Sequence, residues 1–288
     1  SSDVCSSDLI TAMIIIGAKG IPMKKMATAW LWIWLSGFAF VTISSFGRGI
    51  ETSWWARDVR EKFGITMQSS ALGYTNHSVT HMTFLMCVCL FIYCFQDKLK
   101  KKDLLKIFAI NIFLFLYTFS ATGVASCIIC IICIALLRCS ESNETGWKTM
   151  RIVSMLALPV CVAAAILLPV VLTAGAFSKV DSLFTGRLRC SREYLVSGPY
   201  TLFGCRIYDI PRNGYFFLDS SYVTVMAQLG IVTFVTVMCL YEFAVYKMIK
   251  KKQIYEIAIT ITALVGGLTE PYMFNTSMKN LSLFFIGA

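Results

Sequence analysis

The chain has 288 residues, a formal net charge of +10, 57% hydrophobic residues and a mean hydropathy of +0.70. Soluble domains are nearer half apolar, and here the excess is gathered into long runs, which excludes an ordinary soluble domain. The basic residues sit mainly in short loops between those runs, a pattern that membrane topology explains and that excludes a nucleic-acid-binding surface.

The run 152–176 contains no charged residue. About 20 apolar residues are enough to cross ~30 Å of hydrocarbon. Only helices and closed barrels satisfy their backbone in lipid. Barrel strands alternate apolar and polar residues, whereas these runs are apolar on all sides, so an all-α membrane bundle is expected. Residues 1–9 repeat Ser1-Ser2-Asp3 as Ser6-Ser7-Asp8 and resemble translated sequencing adapter, so they are set aside. Residues 10–288 read as a single polytopic membrane domain, expected to be cut short at both ends. The stretches 10–17 and 281–288 are apolar but too short to cross.

In chain order, full spans are predicted at about 27–45, 78–95, 104–119, 122–137, 152–174 and 220–246, with a seventh ending near Gly267. Lysines cluster in the loops 19–26, 96–106 and 247–253, and Arg138, Lys148 and Arg151 lie in 138–151. With alternating spans, all four loops fall on one side, which the positive-inside rule makes cytoplasmic. Loops 46–77, 175–219 and 270–280 are then expected outside. Eight of the 12 cysteines lie in apolar runs, where Cys behaves as a small hydrophobe. Cys127, Cys130 and Cys133 have no acid or histidine beside them, so no metal is expected there. Cys190 and Cys205 share the loop 175–219, and a bond between them is left open.

The loop 175–219 breaks the charge pattern. It holds Lys179 but mainly arginines: Arg187, Arg189, Arg192, Arg206 and Arg212. Lysine suffices to retain a loop, whereas the guanidinium fork matches phosphate oxygens. An anionic ligand at the lipid surface is one reading; pairing with local acids or lipid headgroups is the other. Asp219 is placed to cap the following helix, and Tyr222, three residues on, would share its face. His77 and His81, the only histidines, are four apart and would line one side of the 78–95 helix. Glu270 precedes Pro271 at the end of the last full span, where an acid is often simply solvated.

Several segments then fall into a familiar order. Leu72-Gly73-Tyr74-Thr75-Asn76-His77 is followed by His81. Tyr117-Thr118-Phe119-Ser120-Ala121-Thr122-Gly123 comes next, and then Thr185-Gly186-Arg187-Leu188. Leu202-Phe203-Gly204, Leu218-Asp219-Ser220-Ser221-Tyr222, Leu229-Gly230-Ile231 and Leu268-Thr269-Glu270 complete it. Over about 70–288 this order resembles the O-antigen, capsule and exopolysaccharide polymerases of the Wzy-like type. Ala121 stands where that family often has Arg, and Ser78 where Asn is frequent.

The resemblance implies a bundle like the GT-C glycosyltransferases with a large extracytoplasmic loop, in the plasma membrane of a bacterium. It implies transfer of a glycan from a polyprenyl-diphosphate carrier to another carrier-linked repeat unit, without metal or other cofactor. The lipid bilayer and other polysaccharide-assembly proteins are the expected surroundings. Such chemistry needs cations for the diphosphate leaving group and a base for the acceptor hydroxyl. Arg187 is the first candidate for the diphosphate, with Arg189 and Arg206 as alternatives. His81 is the first candidate for the base, with Asp219 and Glu270 behind it; His77 and Tyr222 are candidate substrate contacts. A ligase-like transferase and a flippase or transporter of lipid-linked oligosaccharide are the rival readings.

Overall fold

The computed structural model describes residues 22–47, 57–62, 65–74, 76–172, 181, 187–198, 200–205, 218–271, 282 and 285. The described chain is helical apart from one hairpin. The helices are α1 Met23–Gly47, α2 His77–Phe95, α3 Lys101–Thr118, α4 Ala121–Glu141 and α5 Glu144–Val171, followed by α6 Arg187–Ser197, α7 Ser221–Lys250 and α8 Ile254–Gly266. Between α1 and α2, β1 Arg57–Lys62 pairs antiparallel with β2 Ile65–Ser70, Arg57 opposite Ser70 and Lys62 opposite Ile65.

Five of these helices, α1, α2, α4, α5 and α7, are long and apolar enough to cross a membrane. Helices also occupy the other two expected spans, but with a different character. The start of α3 carries Lys101, Lys102, Asp103 and Lys106, and α8 has only 13 residues, about 20 Å of rise. Two compact units divide the chain at residues 132 and 133, inside α4.

In the first unit, α2 is the inner helix. It packs against α1 and α3, and 78% of its apolar window is buried, against 11% for α1. Asn76 caps α2 by accepting from Ser78 N at 3.1 Å. Phe119, in the left-handed region at φ +48°, ends α3 and lets α4 begin two residues later. Lys24 pairs with Asp97 at 2.6 Å, so the basic loops at the start of α1 and the end of α2 lie together.

In the second unit, α5, α6, α7 and α8 share one core. Leu158, Cys161 and Ala165 of α5 meet Tyr194 and Leu195 of α6, Tyr222, Met226 and Phe234 of α7, and Leu264 of α8. The segment expected as a long polar loop over 175–219 therefore contains a packed helix, α6. At one end of this unit Arg138 donates to the Tyr255 hydroxyl, and Lys252 stands 5.7 Å from the Trp147 ring.

A break interrupts α7 at Gly230, whose φ of +85° is not helical. The broken ladder is repaired from outside the helix by the segment 201–205. Ile231 N donates to Thr201 O at 3.1 Å, Val232 N to Leu202 O at 3.2 Å, and Cys205 N to Ala227 O at 3.0 Å. Backbone approach this close requires glycine on both sides. A Cβ on Gly204 would lie 2.0 Å from Gln228 O, and one on Gly230 would lie 2.3 Å from Leu202 O. Polar backbone freed where a long apolar helix breaks is tolerated when protein groups re-satisfy it, which is what these three bonds do.

Candidate functional site

In the first unit the two histidines are buried and fully engaged. His77, the first residue of α2, places Nε2 2.9 Å from Ser69 Oγ at the end of β2. One turn on, His81 is 0% exposed, with Nδ1 3.1 Å from Thr118 Oγ1 and Nε2 2.8 Å from Asn111 Oδ1, both on α3. Asn111 in turn donates to Val124 O at 3.3 Å. The expectation that the pair lines one helical side holds for position only. Both rings are interior groups, and both nitrogens of His81 are occupied within the helix packing. Asn111 and Thr118 are hydrogen-bonding partners that the sequence alone did not single out.

The close fit around His81 gives a sharp expectation. A Cβ on Gly123 would sit 2.5 Å from both His81 Cβ and Cγ. Overpacking of this kind costs roughly 1–3 kcal/mol, so Gly123→Ala should lower the thermal midpoint of the purified protein by several degrees. An unchanged midpoint would mean the α2–α4 contact is looser than described.

In the second unit, three of the candidate charges come together. Arg187 opens α6, Asp219 lies two residues before α7, and Glu270 follows α8. Arg187 Nε lies 3.2 Å from Asp219 Oδ2. Arg187 Nη1 donates to Glu270 Oε1 and to the Thr269 carbonyl. The Arg187 and Glu270 side chains are 15% and 3% exposed, and that of Asp219 is 30% exposed. Glu270 is held from behind as well: Ser221 Oγ donates to its carbonyl at 2.5 Å, and its own N–H donates to Gly266 O at 3.0 Å. Tyr222, fully buried, donates to Leu264 O at 2.8 Å and ties the start of α7 to α8.

Three local expectations change here. Asp219 does not cap α7; Ser220 occupies that position, and Asp219 points its carboxylate at Arg187. Asp219 therefore precedes the helix and does not share a helical face with Tyr222, which is a packing and tethering residue. Glu270 is not solvated but nearly inaccessible. In each case a desolvated guanidinium outweighs the local preference, because a charge leaving water must find an opposite charge.

The electrostatics of the triad are unequal. One cation faces two carboxylates. Burial raises the Asp219 pKa above the ordinary carboxylate value; Arg187 opposes that and Glu270 adds to it. Arg189 lies apart in character. Its side chain is 74% exposed and 3.5 Å from Glu193 one turn along α6, and its backbone N–H donates to Asp181 Oδ1 at 3.1 Å. Arg206 lies outside the described residues. Cys190 and Cys205 are not joined in a disulfide. Among the described residues no group of three or more His, Cys, Asp or Glu side chains is placed to hold a metal ion.

No family model, no curated protein and no solved structure matches this chain.

Proposed function

We propose that the chain is a membrane glycosyltransferase that polymerises polyprenyl-diphosphate-linked repeat units into a surface polysaccharide, with its active end outside the cytoplasm and a GT-C-like arrangement of spans. The observation that carries this reading is the Arg187–Asp219–Glu270 triad. It joins three segments that are far apart in the chain and that each belong to the polymerase-like pattern: Thr185-Gly186-Arg187-Leu188, Leu218-Asp219-Ser220-Ser221-Tyr222 and Leu268-Thr269-Glu270.

In this proposal Asp219 is the base. It is the more exposed carboxylate of the two, and burial keeps it a better proton acceptor than a solvated Asp. The acceptor hydroxyl oxygen bonds to the anomeric carbon of the donor sugar, and the bond from that carbon to the diphosphate oxygen breaks. The hydroxyl proton passes to Asp219, and polyprenyl diphosphate leaves. Arg187, committed to two carboxylates, is a positioning residue that holds Asp219 and Glu270 in register. The leaving diphosphate is assigned to Arg189 and Arg206. The pairing of Arg189 with Glu193 is exposed, and such pairs are weak enough to exchange for phosphate. His81, enclosed by Asn111 and Thr118, is assigned a structural role.

A lipid-linked-oligosaccharide transporter is the rival, and the break at Gly230 bears on it. Broken spans in transporters leave half-helix ends open to ions or substrate. Here Ile231 N, Val232 N and Ala227 O are taken by the segment 201–205, which favours a fixed surface site over a moving gate.

The test is Asp219→Asn, which keeps shape and removes the base. Polymer length in cells should collapse, with carrier-linked single units accumulating where an impermeant lectin reaches them from outside. The variant protein should still insert and elute as a single species. Polymer of normal length, or single units trapped inside, would overturn the proposal. The pH dependence has a defined sign. A base must be unprotonated, so the acid limb of the rate is displaced to higher pH than a solvated Asp would give. Glu270→Gln removes a neighbouring negative charge that raises Asp219, so the limb should move to lower pH.

A further inference from the structure

The end of α6 and the turn after it expose an apolar ridge that the proposed chemistry does not use. Val196 is 64% exposed, Tyr200 54%, Leu202 59% and Phe203 82%. Contiguous exposed apolar groups on an otherwise charged segment mark an interaction surface. The other face of α6 is accounted for: Leu188, Tyr194 and Leu195 are buried, and Tyr194 and Tyr200 meet edge to face with ring centroids 6.3 Å apart.

The hydrogen bonds of the break fix the height of this ridge. Thr201 O, Leu202 O and Cys205 N are bonded to α7 on either side of Gly230. From Gly230, α7 runs through residues 231–250 to a last turn that holds Lys247 and Lys250. That length is about 30 Å, which matches the ~30 Å thickness of hydrocarbon. With those lysines at one bilayer boundary, Gly230 stands at the other. Below it α7 presents Val232, Val235, Leu240, Phe243 and Tyr246 as exposed apolar groups, the surface a lipid-facing helix should have.

We infer that Val196, Tyr200, Leu202 and Phe203 form an interfacial membrane anchor, with Tyr200, Leu202 and Phe203 seated at the boundary between headgroups and hydrocarbon. The partner is the bilayer itself. Leu202 is bonded through its backbone to Val232, the first of the exposed apolar residues of α7 below the break, and aromatic side chains favour that boundary. The inference rests on the membrane character of α7 and not on the glycan chemistry.

The experiment places the photoreactive residue p-benzoylphenylalanine at position 203 in native membranes, with position 246 on α7 as the lipid-exposed control and position 141 as the exposed control beyond the apolar run of α4. Phe203 is so exposed that its replacement should leave folding intact, which monodisperse elution checks. Irradiation should yield lipid adducts at 203 and 246, seen by mass spectrometry, and none at 141. Lipid at 246 with no lipid at 203, or crosslinking of 203 to another polypeptide in place of lipid, would overturn the anchor. Loss of activity in Asp219→Asn would leave this result unaffected, so the two readings fail separately.

Discussion

Arg187→Ala should destabilise the protein by about 3–5 kcal/mol, the usual cost of removing one partner from a buried ion pair. The reason is the inventory around it. Glu270 is 3% exposed and Asp219 30% exposed, and Arg187 is their shared cation. Without it, Glu270 is left buried with no guanidinium beside it, and Asp219 loses the influence that holds its pKa down. The protein should unfold at a markedly lower temperature in detergent, with the deficit growing as pH rises. The sign follows from linkage: acids whose folded pKa rises hold protons that the unfolded chain releases, so stability falls as pH climbs through the raised value. Arg187→Ala combined with Glu270→Gln should recover part of the loss, because the second change removes the stranded charge. Arg187→Lys should fall between, since one ammonium cannot copy the guanidinium's simultaneous contacts with Asp219, Glu270 and Thr269. Equal midpoints for Arg187→Ala and the parent protein would remove the triad as a structural element.

A second large effect is expected at the paired glycines. Gly204 and Gly230 both have positive φ, +86° and +85°. An L side chain there costs roughly 1–2 kcal/mol in backbone conformation. The added Cβ would also strike backbone atoms, which cannot rotate away: Gln228 O at 2.0 Å from position 204, and Gly204 N at 2.4 Å from position 230. Gly204→Ala or Gly230→Ala should therefore lift the segment 201–205 off α7. Cys205, whose thiol lies 3.6 Å from Ala227 O, reports this directly. Its alkylation rate, followed peptide by peptide, should rise at least tenfold in either variant. The double variant should be no worse than the singles, because both break one interface. Gly37→Ala, where nothing lies within 4 Å of the new carbon, is the control and should change neither rate nor midpoint. Additive losses in the double variant would show that the two glycines act separately.

The spans were legible because a helix in lipid is apolar all round, and a run such as 152–176 admits no other structure. The candidate charges were legible for a related reason: Asp219 and Glu270 stand at span ends, where a charge is conspicuous, and Arg187 belongs to an arginine-rich stretch between apolar runs. Their convergence was not legible, since nothing local links residues separated by up to 83 positions. The capping reading of Asp219 failed because cap rules weigh only nearby backbone, and the partner that claimed the carboxylate lies in α6. His81 shows the same limit. Its spacing from His77 follows from the residues themselves, but its burial depends on Asn111 and Thr118, on a different helix. The helix α6 did leave a signal: Leu188, Ser191 and Leu195, all buried, follow helical spacing. The density of arginines around them obscured it.

The triad also sets an order of events in the making of the protein. Arg187 leaves the ribosome 83 residues ahead of Glu270, which at about 5–20 residues per second is roughly 4–17 seconds. During that interval α6 exists without its deepest partner. Glu270 follows only after α7 and α8 have been made, joined by the short basic turn at Lys251 and Lys252. Completion of these two helices and the residues just beyond them is thus the step that closes the triad. A chain ending at Gly266 would carry every described helix and still lack Glu270, leaving Arg187 and Asp219 to meet without their buried acid.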